Sequence, residues 1–96
     1  MRDEFILQLT PSWAIFADHN QWIVAKAEKA RPQDDLSHPA VRWRGVSFIG
    51  STKTVLYRVV REKRIAIDTD AKAIIDSWPE SFLDWRDRQN AERRVA

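Results

Sequence analysis

Two runs rich in β-branched and aromatic residues, 12–17 and 21–27, flank the polar group Asp18-His19-Asn20. Asn and His tolerate positive φ, so this group reads as a hairpin turn even without a glycine. If His19 and Asn20 form the loop, the register follows: Ala17 faces Trp22, Phe16 faces Ile23 and Ile15 faces Val24. Successive side chains of a strand point to opposite faces, so both faces of this hairpin are apolar. An antiparallel sheet with one wetted face alternates apolar with polar residues instead. The second face therefore requires a cover, either the chain's own C-terminal segment or a partner.

The remaining elements follow from punctuation and period. Phe5-Ile6-Leu7-Gln8-Leu9, interrupted by Pro11, predicts a short strand. Residues 28–40, with Pro32, Pro39 and Gln33-Asp34-Asp35, lack a sustained period and read as a surface loop. Residues 41–49 return to extended character, with Trp43 and Ile49 expected on one face and Val46 and Phe48 on the other. From 52 to 64, Val55, Leu56, Val59 and Val60 form one helical stripe, away from Lys53, Arg58, Arg61 and Glu62, with Ser51 or Thr52 as cap. After the connector Ile65-Ala66-Ile67, Asp68 or Thr69 caps a second helix running to about Ser77. Pro79 bends the chain and starts a third helix, whose stripe is Trp78, Phe82 and Trp85. Residues 86–96 carry little apolar surface and are expected to fray or project.

The order β-β-β-β-α-α-α predicts an α+β fold: a small antiparallel sheet of three to four strands, opened by the N-terminal hairpin, with two to three helices from the C-terminal half packed on it. With 96 residues the chain reads as a single domain over 1–96. It has no cysteine, which excludes disulfides and thiolate metal sites and points to a reducing, cytoplasmic home. Met1-Arg2-Asp3-Glu4 leads into only five mostly apolar residues, neither a signal-peptide core nor a membrane span.

Chemistry is sparse. Gly45-Val46-Ser47-Phe48-Ile49-Gly50-Ser51-Thr52-Lys53 has the glycine spacing of a phosphate-binding loop, but the lysine does not directly follow the second glycine. A strand end followed by a helix cap accounts for it. His19 and His38 lie near Asp18 and near Asp34 and Asp35, without the i, i+4 partner that marks a metal site. Asp68-Thr69-Asp70 suits a helix N-terminus, where orphan N–H groups need acceptors. No nucleophile-elbow pattern or cofactor motif is present, so the reading is non-enzymatic, without metal or cofactor.

The informative residues are aromatic and basic. Five tryptophans in so short a chain mark a core, an interface or both. Sixteen Lys plus Arg against fourteen Asp plus Glu leave a net charge of only +2, which is no strong polyanion-binding signature. Within that balance Arg42 and Arg44 flank Trp43 and project from the opposite side of a strand, while Lys53, Arg58, Arg61 and Arg64 lie off the apolar helix stripe. If the two groups adjoin, they form a basic surface able to meet phosphates.

Ser12-Trp13, Gln21-Trp22-Ile23-Val24, the strand from Trp43 to Ser51 and the Val55-Leu56 helix together resemble short proteins encoded by bacterial phages and prophages. That resemblance implies a small accessory protein, of a class in which some members bind and block host defence complexes such as CRISPR effectors. The expectation is a binding protein that meets a protein partner, or itself, through Trp22 and Trp43 with Arg42 and Arg44 at the rim. The rival is a nucleic-acid-binding module using Lys53, Arg58, Arg61 and Arg64.

Overall fold

The computed structural model describes residues 3–29 and 41–95. In chain order they form β1 (Glu4–Thr10), β2 (Trp13–Ala17), β3 (Trp22–Lys29), β4 (Val41–Ile49), α1 (Lys53–Glu62), α2 (Thr69–Asp76) and α3 (Phe82–Val95). The four strands pair antiparallel in sequence order, giving a meander followed by three helices. This is the α+β architecture expected. Glu28 and Lys29 belong to β3 rather than to a loop; the rest of that expected loop, His38 included, lies outside the described residues.

The β2–β3 hairpin closes in the register its loop length dictates, Ala17 to Trp22, Phe16 to Ile23 and Ile15 to Val24. Neither His19 nor Asn20 takes the positive φ that the sequence suggested for them, and the turn is held instead by Asp18. Its Oδ1 accepts the backbone N–H groups of Asn20 at 2.8 Å and Gln21 at 3.0 Å, an Asx-type turn. On β1 the pairing with β2 shifts between Phe5 and Leu7 and again between Gln8 and Thr10. These irregularities break strict alternation, so Ile6, Leu7 and Leu9 all pack toward the same core.

That core lies between one sheet face and the helices. Ile15, Ala17, Trp22, Val24 and Ile49 meet Leu56 and Val60 of α1, Ala71 and Ile75 of α2, and Phe82 and Trp85 of α3. Trp22 is its hub: its ring stacks on Trp78 at 5.7 Å and meets Phe82 and Trp85 edge-on at 5.3 and 5.8 Å. Its Nε1 has no hydrogen-bond partner among the described residues, so its contribution is ring area rather than a polar bond.

The helix starts are polar. Thr52 caps α1, its hydroxyl accepting from Val55 N, and Asp68 caps α2 by accepting from Ala71 N at 2.7 Å. The Glu80 carboxylate accepts from Thr54 N at 3.0 Å, placing a negative charge at the electropositive end of α1. The expected fraying after Trp85 is not what the chain does, because α3 stays helical to Val95. Its exposed half is held by polar contacts instead. Arg86 Nη1 donates to the His19 carbonyl at 2.9 Å, and Arg93 pairs with Glu4. Among the described residues no helix is long and apolar enough to cross a membrane.

Candidate functional site

Once one sheet face is committed to the helices, alternation sends a second set of side chains to the outer face. The pairing aligns Phe5 with Phe16, Phe16 with Ile23 and Ile23 with Phe48, one residue per strand from edge to edge. Beside this row runs a second, Gln8, Ala14, Ala25 and Gly45, in which three of four residues are small. The large side chains lie down over the small ones. Phe5 meets Phe16 edge-on at 5.4 Å, and Phe16 leans against Trp43 at 5.8 Å. A Cβ at Gly45 would stand 3.0 Å from Ile23 Cγ2 and 3.1 Å from Phe48 Cζ, so the missing side chain is what lets that ring lie across the strand. Ala14, Ile23 and Ala25 are buried beneath this layer, yet Phe5 remains 49% and Phe48 57% exposed at its two ends.

A bulge decides which residues share that face. Ala25 pairs with Gly45 but Val24 pairs with Ser47, leaving Val46 as the extra residue. One inserted residue inverts the parity of everything beyond it. Trp43 and Phe48 therefore share the outer face while Ile49 turns to the core, the reverse of the expected grouping of Trp43 with Ile49.

Trp22 cannot centre an interaction surface as expected, because it is 0% exposed and sits on the helix-facing side. Trp43 does lie on the open face, half-buried against Phe16. Arg42 and Arg44 pair across from Glu28 and Lys26 and project from the other side, opposite Trp43, with Arg44 Nε 2.8 Å from Glu28 Oε1. They flank Trp43 along an edge strand without sharing its face. The phenylalanines of the row were not singled out in the sequence; the double apolar alternation of the hairpin was the signal for Phe16, while Phe48 was masked by the bulge.

The basic helix residues have partly structural tasks. Lys53 Nζ donates to the Asp76 carbonyl at 3.1 Å. Arg64 adopts φ 56°, the left-handed conformation that ends α1, and its N–H donates to the Arg61 carbonyl at 3.0 Å. Arg58 and Arg61 are exposed. Arg42 lies near the start of β4, and Lys53 opens α1 just beyond the other end of that strand.

A cleft of about 200 Å³ opens between the hairpin tip and α3, lined by Asp18, His19, Arg86, Gln89, Asn90 and Arg93 among others. Two of its guanidinium groups are engaged within it: Arg93 pairs with Glu4, and Arg86 donates to the His19 carbonyl. Burial alone would raise the Asp18 carboxyl, but the Asn20 N–H, the Gln21 side chain and the Gln21 N–H outweigh it and hold the pKa below its ordinary value. Asp18 is thereby a turn-forming anion. Among the described residues no group of three His, Asp or Glu is placed to hold a metal ion.

The outer face thus presents an aromatic layer backed by the sheet, with Phe5 and Phe48 open at its two ends. Compared with known proteins, the chain matches no protein-family model, no curated protein and no solved structure.

Proposed function

We propose that this chain is a non-catalytic binding protein that acts by protein–protein contact through the outer sheet face, taking an apolar, uncharged protein surface as its partner. The observation that carries this reading is the row Phe5-Phe16-Ile23-Phe48, apolar throughout and half exposed at both ends. Exposed contiguous apolar surface is costly in water and marks interaction sites. The rows Phe5-Phe16-Ile23-Phe48 and Gln8-Ala14-Ala25-Gly45, with Trp43 beside them, carry no formal charge. A phosphate backbone needs cations beside the stacking rings, so charge neutrality favours protein over nucleic acid as the ligand. In its finer form the reading is a phage-type accessory protein or inhibitor that occupies an apolar surface of a host complex; its support is the sequence resemblance.

The test is capture from the native host's lysate by the wild-type chain and by Trp43→Ala and Phe48→Glu, with folding checked by circular dichroism. Folded variants that lose a partner held by the wild type across a salt series support the reading. Variants that retain it, or binding that collapses steeply as salt rises, count against it and move the site to the basic surface.

A further inference from the structure

Resting on the reading of the outer face as a contact surface, we infer that its occupant is a second copy of this chain, packed face to face about a two-fold axis parallel to the strands. The first argument is positional. Phe5 lies on edge strand β1 and Phe48 on edge strand β4, in the same cross-sheet row, with Phe16 and Ile23 between them. A two-fold axis along the strands, midway between β2 and β3, inverts that row. It sets Phe5 of one copy opposite Phe48 of the other and Phe16 opposite Ile23. The two large side chains left most open on this face, at 49% and 57%, are thus brought onto each other. Two sheets stacked this way have their strands nearly aligned, the common geometry of packed sheets.

The second argument is charge. The two rows that the axis brings together carry no charged group, so neither sets a like charge against its image. The third is area, which sets the strength. Half of each terminal phenylalanine plus the open parts of Phe16 and Trp43 leaves on the order of 300 Å² of apolar surface per copy, from about 150–250 Å² per aromatic side chain. A standard stable interface uses about 800 Å² per partner. The association is therefore weak and reversible, visible as a concentration-dependent equilibrium.

Sedimentation equilibrium between about 10 μM and 1 mM, the range where small interfaces dissociate, reads it directly. The wild-type average mass should climb toward twice that of the monomer, with no loss at higher salt. Phe5→Lys and Phe48→Glu, both at exposed positions, should each hold the chain at monomer mass while leaving its circular dichroism unchanged. The double variant F5K/F48E should recover the dimer, because each Lys then meets a Glu of the other copy. Within one copy the two positions are three strand spacings apart, about 14 Å, beyond ion-pair reach. A wild type that stays monomeric at about 1 mM, the weak end of that range, overturns the inference. In that case, loss of another captured protein by Phe48→Glu preserves the contact-surface reading with a different occupant, and retention of it removes both. Single variants that still dimerise, or a double variant that does not recover, overturn the proposed pairing.

Discussion

The Tyr57 hydroxyl donates to the Asp76 carboxylate and so ties the middle of α1 to the end of α2. Lys72 Nζ reaches the same carboxylate at 2.9 Å, and Lys53 reaches the Asp76 carbonyl. Burial first, then the hydrogen bond and negative charge of Asp76, push the Tyr57 pKa well above its ordinary value of 10.0. The Tyr57 bond, then Lys72, hold the Asp76 carboxyl low.

The chain has one tyrosine, so tyrosinate absorbance reads Tyr57 alone. No titration should appear near pH 10 in the folded protein, and Asp76→Asn should bring it down toward that value. The sign for stability follows from linkage. The Tyr57 contribution is complete below about pH 10, its unfolded value, and is lost at still higher pH as the folded group titrates. The contributions of Asp76 and Asp18, whose folded pKa values are lowered, are complete above about pH 4 and are lost as pH falls below it. A tyrosinate signal centred near 10 in the intact fold would disprove the clasp.

Two glycines should respond differently to the same substitution. A Cβ at Gly50 would stand 3.0 Å from the Asn20 carbonyl oxygen, a backbone atom fixed by the hairpin turn. At Gly45 the nearest atoms belong to side chains, Cγ2 of the buried Ile23 and the exposed Phe48 ring. Gly50→Ala should cost about 1–3 kcal/mol as overpacking against backbone, while Gly45→Ala should cost less, because Phe48 can swing outward and the Ile23 side chain needs to give by only a few tenths of an ångström. Chemical denaturation of the two variants ranks them, and equal losses would contradict the close approach at Asn20.

Truncation after Trp85, which the sequence suggests is harmless, should destabilise the fold. Phe82 and Trp85 are both buried, and removing the rest of α3 leaves them in a four-residue remnant too short to hold a helix. Arg93→Ala, by contrast, breaks only an exposed ion pair with Glu4 and should change stability by about 0–1 kcal/mol. An unchanged melting temperature after truncation would show that α3 does not anchor the aromatic cluster.

The hairpin register was legible because a two-residue loop leaves the pairing no freedom, and the helix starts were legible because Thr52 and Asp68 are capping types at the right offsets. What the reading of the sequence missed was the bulge at Val46: Gly45, a glycine inside a strand pattern, is the available pointer to it, but it does not fix which residue is extra. That single residue exchanges the partners of Trp43. The persistence of α3 was missed for another reason: beyond Trp85 it has no apolar stripe, and what extends it is a run of helix-favouring Arg, Gln, Ala and Glu, an Arg88–Glu92 pair one turn apart, and weak polar reaches to His19 and Glu4.

The same bulge separates two tryptophans that the sequence treats alike. Trp22 is fully buried and touches Trp78, Phe82 and Trp85, whereas Trp43 lies half-buried on the outer face against Phe16. Trp22→Ala removes the hub of the core and should cost about 3–5 kcal/mol, enough to unfold a marginal domain. Any loss of binding in that variant would report on folding alone. Trp43→Ala removes a side chain whose neighbours are already partly in water, so it should cost less than half as much and leave the circular dichroism intact. It should nevertheless weaken association through the outer face, since Phe16 loses the ring it leans on. Thermal melts of both variants, followed by binding only where the fold survives, check the assignment; a Trp43→Ala protein less stable than Trp22→Ala would mean that the two faces have been exchanged.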